Sequence, residues 1–135
     1  MVKMHAVYEG QLHCSVTHEP SKQTICTDAP KDNQGRGEAF SPTDLVGAAL
    51  GTCMMTLMGI VAQRHNLDIK GTTADVEKEM TATGTRRIAK LTVNVHVPQP
   101  LAAEQRQLIE SAAATCPVLK SLNPEIVLDI KFNYA

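Results

Sequence analysis

Ser41-Pro42-Thr43-Asp44, followed by the apolar run from Leu45 to Ala62, is the stretch that decides the fold of this chain. Ser41 can cap a helix with its hydroxyl group, and Pro42 suits the first helical position. Asp44 falls where the acid of a capping box reaches back to the start of the helix. Together these signals predict a helix that begins at Ser41 and continues through the apolar run.

The composition of the apolar run fits the core of a domain better than a lipid bilayer. A chargeless run of this length lies at the threshold for a membrane span. It contains three glycines and two threonines, however, and it ends in the polar sequence Gln63-Arg64-His65, which favours a helix inside a globular protein. A domain of 135 residues can bury one central helix. Because this helix is apolar on every side, we also expect cover from a second copy of the chain, in a homodimer.

The overall composition argues against nucleic acid and lipid partners. The net charge of -1 gives no reason to expect a phosphate backbone or an anionic membrane. The chain has no Trp, two Phe and two Tyr, so it lacks platforms for base stacking. The start, Met1-Val2-Lys3-Met4-His5, has no apolar stretch and no cleavage site, so nothing directs export. We expect a single domain over residues 1–135 in the cytoplasm.

The thiols are spread along the chain without a Cys-x-x-Cys motif, which argues against a thioredoxin-type site and the commonest zinc sites. The thiols of a cytosolic chain stay reduced unless they take part in redox chemistry or bind a metal. Four histidines likewise lack metal-ligand spacing and are interpreted as solvated or strand-surface residues, so no metal is expected. The cysteines are Cys14, Cys26, Cys53 and Cys116, and the four histidines are His5, His13, His18 and His96.

The first two cysteines lie in a predicted hairpin. Residues 5–17 and 23–28 have strand character, and Glu19-Pro20-Ser21-Lys22 separates them. A turn centred on Pro20 sets Cys14 opposite Cys26. The pair could form a disulfide, but a reducing compartment favours two small, half-buried side chains.

The remainder of the chain indicates the α+β class, because strands lie at both ends with helices between them. The second helix ends at Cys116-Pro117, since proline disfavours helical geometry in the residue before it. After the central helix the pattern predicts, in order, strands over 72–81 and 87–97, a helix over 102–115, a turn of helix over 118–122 and a strand over 125–133.

Cys53 can be interpreted in two ways. It shares a helix face with Leu50 and Leu57, and most cysteines so placed are small core residues. A reactive Cys53 lies about three turns into the helix, beyond the reach of the helix dipole, and apolar burial raises the pKa of a thiol. It therefore needs a nearby cation. Arg36 is the best-placed candidate, because the glycine-flanked loop over residues 29–39 runs directly into the helix.

The run from Phe40 to Cys53, together with Cys116-Pro117-Val118, resembles the OsmC/Ohr superfamily, named for osmotically inducible protein C and organic hydroperoxide resistance protein. The resemblance extends over essentially the whole chain and includes Ala74-Asp75-Val76. It implies an OsmC-like fold, in which antiparallel sheets surround a buried central helix, and an intertwined homodimer with its active sites at the subunit interface.

The resemblance also implies a thiol peroxidase that reduces hydroperoxides in oxidative-stress defence. Carried over by position, Cys53 matches the peroxidatic cysteine and Cys116 the resolving cysteine. The implied cycle passes through a Cys53 sulfenic acid and a Cys53–Cys116 disulfide, which an external dithiol reduces. No metal or other cofactor is implied, and the apolar surroundings of Cys53 favour organic hydroperoxides.

One position departs from the superfamily pattern. Its peroxidases usually carry a glutamate directly after the helix-starting proline, which orients the catalytic arginine, and this chain has Thr43 there. Glu38 is a possible substitute. The departure keeps a second function open, a non-catalytic carrier that binds a small hydrophobic ligand in the dimer-interface pocket. Thiol-based acyl transfer lacks a base, since His65 lies near the other end of the helix.

Overall fold

The structure is a computed structural model that describes residues 1–135. The chain forms two compact units, Met1–Val46 and Gly47–Ala135. The central helix begins in the first unit and continues in the second. The expectation of one domain stays a prediction. The elements, in chain order, are β1 (Met4–Gly10), β2 (His13–His18), β3 (Thr24–Asp28), a 3-10 turn (Lys31–Asn33), α1 (Pro42–Arg64), β4 (Thr73–Met80), β5 (Ile88–Val97), α2 (Ala103–Ala113), α3 (Pro117–Ser121) and β6 (Val127–Tyr134).

The first sheet is an antiparallel meander in the order β1-β2-β3. The predicted single strand over residues 5–17 is wrong. Gly10, Gln11 and Leu12 have φ values of 85°, 53° and 59°, and this left-handed segment reverses the chain between β1 and β2. Such values are common for glycine and unusual for glutamine and leucine. Only Gly10 therefore signalled the turn in the sequence.

The register of β2 against β3 differs from the predicted one by a single residue. Ser15, and not Cys14, pairs with Cys26. The last pair before the turn is Thr17 with Thr24, which places the centre of the turn between Pro20 and Ser21 rather than on Pro20. A shift of one residue moves a side chain to the opposite face of the sheet. The possible Cys14–Cys26 disulfide is thus wrong, and both thiols are free; Cys26 is exposed rather than half-buried.

The second sheet has the order β4-β5-β6. β4 and β5 form the predicted antiparallel pair, joined by a turn in which Gly84 has a φ of 76°. β6 pairs with β5 in parallel, with Ile130 opposite Val93. The prediction of antiparallel sheets throughout is therefore wrong. The connection through α2 and α3 returns the chain to the end of the sheet where β5 started, and parallel pairing requires such a crossover.

α1 is buried along one stripe, and its glycines allow that stripe to approach the second sheet closely. A Cβ atom placed on Gly51 would lie 2.8 Å from Cγ2 of Val76, and one on Gly47 would lie 3.5 Å from Cδ2 of Leu91. The chain by itself leaves other apolar positions open, since Ile60 is 39 % exposed. The buried residues of α1 are Gly47, Leu50, Gly51, Met54, Met58 and Ala62.

By length and composition alone, α1 could cross a membrane, with a mean hydropathy of 2.0 in its most apolar window. The core helices of water-soluble proteins pass the same test. Gly47 and Gly51 pack against β4 and β5, as residues of a core helix do. A third of the window, 33 %, is buried within the chain.

The end of β6 is fixed to α2 by one aromatic residue. The hydroxyl group of Tyr134 donates to Oε1 of Glu110 at 2.7 Å, and the guanidinium carbon of Arg106 lies 4.5 Å from the centroid of the Tyr134 ring. Burial, followed by the bond to Glu110, raises the pKa of Tyr134 above its usual range. These contacts hold the last strand against the helix that leads to Cys116.

Candidate active site

The start of α1 has the predicted capping box. The N–H of Asp44 donates to Oγ of Ser41 at 3.0 Å, and the N–H of Ser41 donates to Oδ2 of Asp44 at 2.9 Å. Pro42 is the first helical residue. Because the cap fixes where the helix starts, it also fixes the position of Cys53 along it.

Cys53 lies in the middle of α1 with a half-buried side chain. Its neighbours one turn before and one turn after on the same face are Ala49 and Leu57, which are also half-buried. The thiol is therefore flanked by apolar side chains on its own helix. A small molecule with an apolar substituent can approach such a thiol, because part of it is open.

Cys116 lies directly before α3 and is fully buried. Its Sγ atom accepts the backbone N–H of Leu119 at 3.4 Å, so the thiol caps the short helix that Pro117 starts. Its side chain is also within hydrogen-bonding range of the Cys53 side chain. The two cysteines are remote in the sequence, yet they lie close together within the second unit.

The surroundings of Cys116 keep its proton in place. Burial is the largest cause that raises the pKa of this thiol, and the hydrogen bond with Cys53 raises it further. The N–H of Leu119 acts in the opposite direction but does not reverse the shift. A thiol with a raised pKa stays protonated at neutral pH and can donate its S–H to the partner sulfur. The pair therefore combines an accessible thiol with a buried, protonated one.

Arg36 and Glu38 lie in the first unit, on the loop between β3 and α1. Nη2 of Arg36 lies 3.6 Å from Oδ1 of Asp28, and the Arg36 side chain is 44 % exposed. The backbone N–H of Glu38 donates to Oδ2 of Asp28 at 3.1 Å, while the Glu38 residue itself is exposed. The two predicted residues thus meet at a carboxylate that the sequence reasoning did not single out.

Asp28 is the residue that sequence reasoning missed. It is 2 % exposed, and Nδ1 of His13 lies 2.6 Å from its Oδ1 atom. Because an ionised carboxylate only accepts hydrogen bonds, this ring nitrogen is the donor. The bond from His13, then the charges of His13 and Arg36, lower the pKa of the carboxyl group despite burial, which acts against them. Of the two interpretations of His13, a solvated or a strand-surface residue, the solvated one is wrong, because this strand residue is paired with a buried carboxylate. An acid at a strand end, followed by a glycine-rich loop, is the only signal that could have pointed to Asp28.

Thr43 occupies the second position of α1, and its Oγ1 atom lies 3.2 Å from Oγ of Ser41. It is thus part of the hydrogen bonding at the helix start. Among His, Cys, Asp and Glu side chains, the chain has no group of three or more that could hold a metal ion. The expectation that no metal or other cofactor is needed stays a prediction.

A cleft of about 340 Å³ lies between the end of α1 and the segment that follows it. Met55, Gly59 and Ala62 are among the residues that line its helical side, and the residues from Leu67 to Thr72 line the other. The cleft contains neither cysteine.

Comparison with known proteins places the whole chain in one structural group. The sequence model of a family described as OsmC-like protein matches residues 35–131. A crystal structure from Psychrobacter arcticus 273-4, of a proposed osmotic stress induced and detoxification response protein, is 42 % identical, with a TM-score of 0.92. The match covers 98 % of this chain and 96 % of that chain. A comparison with curated proteins gives no match.

Two further structures share the fold at lower identity. One is an organic hydroperoxide resistance protein OsmC from Legionella pneumophila, 16 % identical, with a TM-score of 0.78 and coverage of 98 % of this chain and 96 % of that one. The other is a proposed organic hydroperoxide resistance protein from Vibrio cholerae, with captopril bound in one of its active sites. It is 22 % identical, with a TM-score of 0.72 and coverage of 97 % and 91 %. At these identities the likeness shows the α+β fold alone.

Proposed function

This chain belongs to the OsmC-like protein family, and we propose from that premise that it is a thiol-dependent peroxidase that reduces organic hydroperoxides. The family assignment confirms the resemblance seen in the sequence. One observation carries the proposal: the half-buried thiol of Cys53 is within hydrogen-bonding range of the buried thiol of Cys116. The organic hydroperoxide resistance proteins that share the fold support the same substrate class.

The exposure of the two thiols supports the order of their reactions. A hydroperoxide can approach Cys53, whereas Cys116 is closed to solvent. The Cys53 thiolate attacks the O–O bond of the hydroperoxide, the bond breaks, and the sulfur retains one oxygen as sulfenic acid. The other oxygen leaves as an alkoxide and becomes an alcohol when it takes up a proton.

Cys116 closes the cycle in the proposed mechanism. Its sulfur forms a bond to the Cys53 sulfur while the S–O bond of the sulfenic acid breaks, and the oxygen leaves as water with the Cys116 proton. Two thiols have then been oxidised to one disulfide. An external dithiol restores both by thiol–disulfide exchange and is itself oxidised to a disulfide. Neither step requires a metal or another cofactor.

Arg36 is proposed to stabilise the Cys53 thiolate, and Glu38 to assist it. A guanidinium group can lower the free energy of a thiolate through its charge and its hydrogen bonds. The support for Arg36 is its place in a glycine-flanked loop that leads into α1. The support for Glu38 is weaker, because its backbone N–H, rather than its carboxylate, contacts Asp28.

The working form is proposed to be a cytoplasmic homodimer. The apolar positions of α1 that the chain leaves open need cover, and a second copy of the chain would provide it. Oxidative-stress defence is the proposed role, and the description of the Psychrobacter structure as an osmotic stress induced and detoxification response protein supports it.

Counting thiols before and after one equivalent of cumene hydroperoxide tests the proposal. We expect the loss of two thiols per chain, and peptide mass spectrometry should find the disulfide between Cys53 and Cys116. Cys53→Ser should abolish turnover, while Cys116→Ser should stop at a sulfenic acid that dimedone traps. Cys14→Ser with Cys26→Ser is the matched control and should leave both results unchanged.

Turnover by the Cys53→Ser protein at the rate of the parent would exclude this mechanism. The alternative function, a carrier of a small hydrophobic molecule, predicts a Cys53 that does not react with hydroperoxide and an organic ligand retained in a native mass spectrum.

A further inference from the structure

We propose that Asp28 is the positioning residue for Arg36, with a buried carboxylate that fixes where the guanidinium group lies. Its consequence for catalysis rests on the proposed function, in which Arg36 stabilises the Cys53 thiolate. The contacts that hold Arg36 all lie within the first unit, so they can be tested separately from the peroxidase reaction.

The burial of Asp28 requires an explanation, because a buried carboxylate is unfavourable unless it is paired. Asp28 is 2 % exposed, and its two oxygens serve different segments of the chain. Oδ1 accepts a hydrogen bond from Nδ1 of His13, a residue of β2, at 2.6 Å. The same oxygen lies 3.6 Å from Nη2 of Arg36. Oδ2 accepts from the N–H of Glu38 at 3.1 Å. The carboxylate thus connects β2 to the Arg36 side chain and to the backbone of Glu38 in the loop.

The glycines on both sides of Arg36 allow the backbone there to lie close to Ala29. A Cβ atom on Gly35 would collide with the carbonyl group of Ala29. Gly37 has a φ of 62°, and its N–H donates to the Ala29 oxygen at 3.2 Å. The tripeptide Gly35-Arg36-Gly37 is therefore held tightly against the start of the loop. This second observation is independent of the carboxylate, and it places the same arginine.

The geometry leaves Arg36 able to bind an anion while it is held. One of its nitrogens, Nη2, faces Asp28, and 44 % of the side chain is exposed. A guanidinium group has five N–H donors in a fixed planar arrangement, so a contact on one side orients the others. An ion pair between an exposed arginine and a surface acid would stabilise the protein little. A buried acid that is itself held by hydrogen bonds from His13 and from the N–H of Glu38 instead determines the direction of the arginine through its ion pair.

The first experiment measures cumene hydroperoxide consumption in protein that also carries Cys14→Ser and Cys26→Ser. We expect Asp28→Asn and Arg36→Gln each to slow the single-turnover loss of thiols about tenfold, the order of one charge-assisted hydrogen bond. If Asp28 acts through Arg36, the double variant should be no slower than Arg36→Gln alone. Lys31→Gln removes the same charge from the same loop and is the matched control; it should leave the rate unchanged.

The second experiment reads the contact directly. In a carbon-13 NMR titration of the Asp28 carboxyl group, Arg36→Gln should raise the pKa of Asp28 above that of the parent, because the Arg36 charge favours the ionised form. Lys31→Gln should leave the titration where it is. Since Arg36 is partly exposed, the substitution is compatible with folding, and this result decides the matter if Asp28→Asn does not fold.

Three results would overturn the inference: a parent-like rate for Asp28→Asn, rate losses that multiply in the double variant, or an Asp28 titration that Arg36→Gln leaves unchanged. If the parent consumes no hydroperoxide, the proposed function fails. Asp28 is then judged by the rate of Cys53 alkylation with iodoacetamide in the same variants, which requires no turnover. The inference is supported if each single variant slows alkylation about tenfold and the double variant is no slower than Arg36→Gln. Equal alkylation rates in the parent and the variants overturn it.

Discussion

At the scale of single residues, the two proposed redox thiols differ because their surroundings differ. Cys116 is fully buried and caps α3, whereas Cys53 is half-buried on the face of a long helix. The sequence showed both residues and the proline that follows Cys116. It did not show which thiol is accessible, because exposure depends on segments remote in the chain. The same applies to Asp28, whose carboxylate partners come from β2 and from the loop.

The raised pKa of Cys116 predicts a loss of stability in mild alkali. Its proton is held more tightly in the folded protein than in the unfolded chain, chiefly because of burial. This contribution is complete below the unfolded thiol pKa of about 8.5 and is lost as the pH rises through the folded value. In urea unfolding of the reduced protein, the free energy of unfolding should therefore fall between about pH 8 and 9.5, the interval around the unfolded thiol pKa.

The matched variants for this prediction are Cys116→Ala and Cys26→Ala. Cys116→Ala should show a smaller fall over the same pH interval, whatever its stability at pH 7. Cys26 is exposed, so Cys26→Ala should follow the parent. Identical pH slopes for the parent and Cys116→Ala would contradict the prediction.

At the scale of elements, local signals predicted far more than long-range ones. The start of α1 depends on Ser41 and Asp44, which lie within one turn of each other, and both of its capping bonds form. The strand register and the parallel pairing of β6 depend on contacts between distant segments. The register was wrong by one residue because the turn centre near Pro20 was misplaced. The parallel pair was missed because alternation within a strand carries no information about its direction.

The approach of α1 to β4 predicts opposite effects of one substitution at two glycines. Gly51→Ala would place a Cβ atom 2.8 Å from Cγ2 of Val76, a stiff β-branched side chain. We expect a loss of about 1–3 kcal/mol in the free energy of unfolding, as in other overpacked cores. Gly59→Ala meets nothing within 4 Å, and it should be neutral or stabilise by about 0.5–1 kcal/mol, since alanine favours a helix more than glycine does.

Urea denaturation of both glycine variants measures the difference. If Gly51→Ala were as stable as the parent, α1 and β4 would be farther apart than described. Peroxidase activity should survive in Gly59→Ala, because this residue lies in the cleft that contains neither cysteine.

At the scale of the whole molecule, the composition of α1 sets a requirement that the single chain does not meet. The helix is apolar around its circumference, yet the buried share of its most apolar window is 33 %. An apolar helix surface must be covered, by protein or by lipid. The proposed homodimer covers it with a second copy. A bilayer could cover the same surface instead. The homodimer and the bilayer predict different outcomes when an exposed apolar residue of α1 is replaced by an acid.

Ile60→Glu tests the choice, because Ile60 is 39 % exposed on α1. If a second copy packs there, a buried carboxylate and the lost apolar contact should raise the dimer dissociation constant about tenfold or more, equivalent to about 1.4 kcal/mol. Sedimentation equilibrium at micromolar concentration measures it. Gln63→Glu adds the same charge to an exposed, polar position of the same helix and should leave the dimer intact. A parent protein that sediments as a monomer, or together with neutral lipid vesicles, would contradict the homodimer, because the open face of α1 would then have another partner.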